Sequence, residues 1–174
     1  MPNIFSFHRP QFALFAAGLV WLARATIGLY SPDYWSPRTP LDYAAVVGTS
    51  AALILTALGV WSFYQHHTAP PSRAQMAWRT GVLVTCLSAF TIGVSNFIED
   101  ALNVKGLGIV WVIGFLALTA GLLIAGISAF WVQGFSRWVG GLFIVCALGL
   151  LLTEANGLFG LGAALLALSV LKGT

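Results

Sequence analysis

Residues 138–171 read WVGGLFIVCALGLLLTEANGLFGLGAALLALSVL, thirty-four residues with a single charge, Glu154. One straight helix of that length would run about 50 Å, well beyond a hydrocarbon core of about 30 Å. Glu154, Asn156, Gly157 and Gly160 fall together in the middle of the stretch. Polar and glycine residues in that position favour a tight turn between two apolar arms. The stretch therefore reads as a hairpin of two short spans, 138–153 and 157–171. Each is short for a full crossing, so the bilayer thins around them or the last arm is re-entrant.

The rest of the chain follows the same pattern with longer runs. Apolar segments at 12–30, 43–63, 76–97 and 107–131 are each long enough to cross a bilayer. They are separated by the proline-rich SPDYWSPRTPLD, by QHHTAPPSRAQ, and by a turn that follows Glu99 and Asp100. Only 7% of the 174 residues are charged, against 59% hydrophobic, whereas a soluble domain carries roughly 25% charged residues. Arg9 precedes the first run, which passes through Arg24 into a Tyr/Pro/Trp segment rather than a small-residue cleavage site. That makes it a span, not a removed leader. The expected fold is all-α: residues 1–174 as a single integral membrane domain, a polytopic bundle of six transmembrane helices, the last two short.

Charge gives this bundle a direction. With six spans and both termini cytoplasmic, Arg9, Arg73, Arg79, Arg137 and Lys172 fall inside and Arg38 and Lys105 outside. That is the sense the positive-inside rule requires, in a cell (plasma or inner) membrane. All five acids, Asp33, Asp42, Glu99, Asp100 and Glu154, then lie outside. Aromatic belts are expected at Tyr30, Tyr34, Trp35, Tyr43 and Trp111 on the outer side, and at Trp61, Tyr64, Trp78, Trp131 and Trp138 on the inner. Small residues four apart, Ala13/Ala17, Gly121/Ala125 and Gly160/Ala164, allow close helix approach. Cys86 and Cys146 lie in apolar runs and read as small packing residues.

Arg24 is the most informative single residue. An ionised side chain within a span costs a few kcal/mol or more unless it snorkels or finds a partner, by an estimate of about 2.5 kcal/mol upward. It shares a helical face with Ala17, Trp21 and Gly28, so it can face the bundle or reach the outer headgroups. On the third span Thr85, Ser88, Thr91, Ser95 and Glu99 recur at steps of three and four, within an arc of about 120°. This polar stripe is either one wall of an outward-facing cavity or a set of hydroxyls bonded back to their own helix. It ends in the cluster Ser95, Asn96, Glu99 and Asp100. Glu154 and Asn156 mark the apex of the last hairpin and join the same outer group. The ligand-binding candidates are therefore Arg24, Ser95, Asn96, Glu99, Asp100, Glu154 and Asn156, with Thr85, Ser88 and Thr91 as the stripe.

His8, His66 and His67 fall in connecting segments, so no metal site is expected and no cofactor can be named. The chain contains no G-x-S-x-G, H-E-x-x-H, P-loop or dinucleotide signature. Its positive charges are scattered singly, which gives no case for nucleic acid. Six spans in this length are also the layout of vitamin-uptake substrate-binding subunits, and Ala13-x-x-x-Ala17 is similar to the small-residue motif of their first helix. That pair by itself assigns no family. The expected partners are the lipid bilayer, a small-molecule ligand, and a membrane-protein partner or second copy. Three functions fit: binding or transport of a small molecule at an outward-facing polar site; a structural or accessory subunit of a larger membrane complex; an intramembrane or lipid-modifying enzyme using buried carboxylates.

Overall fold

A computed structural model describes residues 9–30, 37–67, 70–152 and 155–171. Six α-helices follow one another: α1 (Arg9–Gly28), α2 (Pro40–His66), α3 (Arg73–Asn96), α4 (Gly108–Ala129), α5 (Arg137–Leu152) and α6 (Ala155–Val170). A π-helical turn, Phe97–Ala101, prolongs α3. The segments Gln11–Gly28, Pro40–His66, Arg73–Ala101 and Gly108–Ala129 are long and apolar enough to cross a membrane. The arms α5 and α6 have 16 residues each, about 24 Å at the α-helical rise. The chain is therefore an all-helical bundle of the membrane-protein class, with a short final hairpin.

Local chemistry sets the helix ends, and in two places it moves them from the expected limits. Asp42, read above as loop, lies in the first turn of α2. Thr39 Oγ1 accepts from the Asp42 N–H at 3.2 Å, and the Asp42 carboxylate accepts from the Thr39 N–H at 2.8 Å. This reciprocal capping box satisfies amides that have no intrahelical partner, so α2 starts at Pro40. At the start of α3, Ser72 Oγ accepts from the Gln75 N–H at 3.0 Å.

Each helix packs on its neighbours in sequence, and α6 packs on α1, so the six form a closed ring. Their direction alternates. One end of the ring, here the acidic end, carries Asp42, Glu99 and Asp100; the other, the basic end, carries Arg73, Arg79 and Arg137. The seams are held by backbone contact at small residues, the packing that apolar surroundings favour. A Cβ added to Gly81 would lie 2.5 Å from the Ala125 nitrogen, and one added to Gly149 would lie 2.6 Å from the Gly157 carbonyl oxygen. The closing seam uses Gly18 and Gly162, each facing the other's carbonyl. Gly160, one of the small residues singled out in the sequence, faces open space instead.

The surface is inside-out relative to a soluble protein. Leu87 is 69% exposed and Leu116 61%, as lipid-facing side chains should be, whereas soluble proteins rarely expose large contiguous apolar patches. Trp131 and Trp138 at the basic end are exposed, as a belt requires. Trp78 corrects the expectation: it is fully buried. Its ring lies edge-on to Phe135 at 5.0 Å and to Phe143 at 5.1 Å. It is an aromatic filler of the ring's interior, favoured there by edge-to-face contacts.

Candidate functional site

The centre of the ring is not filled evenly. Toward the acidic end it holds a cavity of about 310 Å³ to which every helix contributes. Helix α1 gives Trp21 and Arg24, α2 gives Val46, Thr49 and Leu53, and α3 gives Ile92 and Asn96. Asp100 comes from the π turn, Trp111 and Phe115 from α4, Leu150 from α5 and Leu158 from α6. A wider cavity of about 780 Å³ lies against it, sharing Asn96, Asp100 and Trp111 and lined also by Arg38, Tyr43, Glu99 and Lys105. The two form a cup below a vestibule.

Below the cup the interior closes. Leu118, Leu122, Cys146, Leu161 and Leu165 surround a void of only about 10 Å³, no more than one water would need. Beneath them Phe63, Trp78 and Phe143 fill the ring, with Phe63 and Phe143 centroids 6.3 Å apart. The His67 ring stacks on Phe63 at 3.9 Å, and His66 Nδ1 lies 2.9 Å from the Ser62 carbonyl oxygen. Among the described residues no group of three or more His, Cys, Asp and Glu side chains is placed to hold a metal.

Arg24 turns into the bundle and is only 4% exposed. Its Nε donates to Thr49 Oγ1 at 2.8 Å, and Thr49 Oγ1 in turn donates to the Ala45 carbonyl at 2.9 Å. This charge-assisted bond fixes the plane of the guanidinium at the cavity wall. One turn deeper, Trp21 Nε1 donates to Thr56 Oγ1 at 3.1 Å, so the indole is held edge-on by a hydroxyl. Asn96 Nδ2 donates across to Ser50 Oγ at 2.9 Å and fastens α3 to α2 beside the cavity.

Glu99 and Asp100 are neighbours with separate work. Glu99 Oε1 accepts from the N–H groups of Gly106 at 3.3 Å and Leu107 at 3.2 Å. It thus serves the start of α4, where a helix end favours negative charge. Gly106 makes that corner with φ of +113°, a backbone state that side chains other than glycine's resist. Asp100, one residue on, lines both the cup and the vestibule.

The stripe along α3 does not line the cup. Thr85 is fully buried against α4 and donates to the Gly81 carbonyl at 2.8 Å. Ser95 is buried and donates to the Ile92 carbonyl at 3.1 Å. Ser88 is half-buried and Thr91 exposed. An arc of about 120° is wide enough to run from a helix seam round to the lipid side. The two buried hydroxyls, Thr85 and Ser95, are satisfied by their own helix, as isolated Ser and Thr in apolar helices are. Asn156 is exposed on the first turn of α6 and lines neither cavity. Glu154 lies outside the described residues. Of the sequence candidates, Arg24, Asn96 and Asp100 meet at the cup, and Glu99 joins Asn96 and Asp100 at the vestibule. The sequence reading missed Thr49, which carries no charge and breaks no pattern. It placed Trp111 in the outer aromatic belt and did not foresee that the ring, half-buried and stacked on Phe115 at 5.1 Å, lines the cup.

Fold and cavity together define a small helical membrane-protein bundle with a blind polar-rimmed cup at its acidic end. Comparison of the chain with protein families, with curated proteins and with solved structures finds no match.

Proposed function

We propose that this protein binds a small molecule from the extracytoplasmic side of a cell membrane, as a binding or transport-type membrane protein. The observation that carries the reading is the cup: all six helices line it, its polar groups gather toward the acidic end, and it is blind toward the basic end. A volume of about 310 Å³ lies at the small end of the roughly 300–1,000 Å³ typical of ligand pockets. A buried arginine beside a cavity fits a functional site, since an intramembrane charge is expensive to keep. An accessory subunit would need the polar residues only to lock helices, and that reading leaves the cup without a purpose. The exposed basic residues Arg73, Arg79 and Arg137 support placing the closed end on the cytoplasmic side.

The test is sidedness. Asn96→Cys is placed in a chain carrying Cys86→Ser and Cys146→Ala, in cells or sealed right-side-out vesicles. A membrane-impermeant thiol reagent added outside should label it, and the same reagent should fail when confined to the interior. Labelling from the cytoplasmic side alone, or from neither side, overturns the proposal.

A further inference from the structure

We infer that the cup takes a small zwitterionic amphiphile: a flat apolar body bearing a head group that carries both an acidic and a basic function. The inference rests on the outward-facing binding reading above and specifies its ligand. The walls of the cup are ordered by depth. Along α1, Trp21 lies one turn below Arg24; along α3, Ile92 lies one turn below Asn96 and two below Asp100. Helix α2 runs the other way, and its Leu53 lies one turn below Thr49. The floor is therefore aromatic and aliphatic, and the charged and hydrogen-bonding groups lie nearer the mouth, with Val46 and Trp111 among them.

The apolar lining favours a flat body. Trp111 and Phe115 stack with their planes within 10° and their centroids 5.1 Å apart, so each ring holds the other in place and the pair lines the cup as a rigid aromatic unit. The indole of Trp21 is fixed by its bond to Thr56, so it cannot turn a polar edge inward without losing a partner. A planar apolar group between such surfaces gains stacking and burial together.

The rim favours a head of both signs. Arg24 and Asp100 reach the same cavity from either side of α2. A singly charged ligand would bring its charge near one group of like sign, and because Arg24 is only 4% exposed, solvent screens a cationic head from it poorly. A head with one positive and one negative group meets a complement for each. Discrimination of this kind comes as much from the repulsion of wrong ligands as from attraction of the right one. The vestibule above repeats the mixture, with Arg38 and Lys105 beside Glu99 and Asp100, so neither sign of ligand is steered in preferentially.

The experiment uses the purified full chain in detergent and a competition series. Binding of tritiated L-tryptophan is measured directly, then displaced by L-phenylalanine, tryptamine, indole-3-acetate and indole. These probes keep or vary the flat body while the head is zwitterionic, cationic, anionic or absent. The expected result is saturable binding of at least one zwitterion, with the three others at least tenfold weaker. Asp100→Asn should erase the preference for L-tryptophan over indole-3-acetate, and Phe115→Ala should weaken every probe alike. Equal binding of tryptamine or indole-3-acetate, or no saturable binding of either amino acid, overturns the inference. The wild-type series needs no variant, so misfolding cannot mimic failure. If Asn96→Cys is labelled from outside while the zwitterions fail to bind, the ligand class is wrong and the outward-facing reading stands; if it is not labelled, that reading itself falls.

Discussion

The seam between α3 and α4 gives a prediction whose size follows from the coordinates. In Gly81→Ala the new methyl would lie 2.5 Å from the Ala125 nitrogen, 2.8 Å from the Gly121 carbonyl oxygen and 2.9 Å from the Ala125 Cα. All three are backbone atoms and cannot rotate aside. To restore an ordinary contact of about 3.5 Å, the helices must part by roughly 0.5–1 Å, which forfeits a quarter to a half of each facing dispersion contact. Overpacking of this kind costs about 1–3 kcal/mol. Alanine also favours a helix over glycine by about 1 kcal/mol, which hides part of the loss. Gly141→Ala removes that ambiguity: its Cβ meets nothing within 4 Å, so it keeps the propensity gain without the clash. Unfolding of the two variants by graded SDS in mixed micelles should separate them by about 1–3 kcal/mol, with Gly81→Ala the weaker. Equal stability of the two would refute the account of the seam.

Other outcomes follow from the same geometry. Glu99→Gln should lower the thermal midpoint by the equivalent of about 0.5–2 kcal/mol, because an uncharged acceptor serves the start of α4 less well. Asn96→Ala should cost about 1 kcal/mol rather than the upper limit of about 3. The Ser50 hydroxyl it abandons can turn to the Val46 carbonyl, which Asn96 also vacates; scanning calorimetry in detergent reads this. Trp78→Ala should be far more damaging, about 3–5 kcal/mol, since it empties a fully buried site between Phe135 and Phe143. Cys146, fully buried, should resist maleimide until the protein unfolds, while the half-buried Cys86 reacts slowly in the folded state.

Much of the architecture was legible because lipid imposes a coarse rule: long apolar runs become helices, and charges mark their ends. The turn in residues 138–171 was visible for that reason, with α5 ending at Leu152 and α6 beginning at Ala155. The closure of the ring was not. Glycine and alanine pairs are abundant in this chain, and only the three-dimensional path selects Gly162 over Gly160 as the partner of α1. Charge pointed to Arg24 and Asp100 because burying either is costly and needs a reason. Thr49 and Trp111 carry no such cost, so nothing in the sequence marked them as cavity residues. The α3 stripe misled because periodicity reports a direction around one helix, and what lies in that direction is fixed by its neighbours.

The central claim is a cup open at the acidic end and closed below its floor, and α2 runs down its wall from rim to base. Single cysteines at Val46, Thr49, Leu53, Val60 and Phe63, in the chain lacking Cys86 and Cys146, can be titrated with a small water-soluble thiol reagent in detergent. The account predicts reaction at 46 and 49, slower reaction at 53, and none at 60 and 63 until the protein unfolds. Uniform reaction along the whole series, or protection of 46 and 49 equal to that of 60, would contradict it.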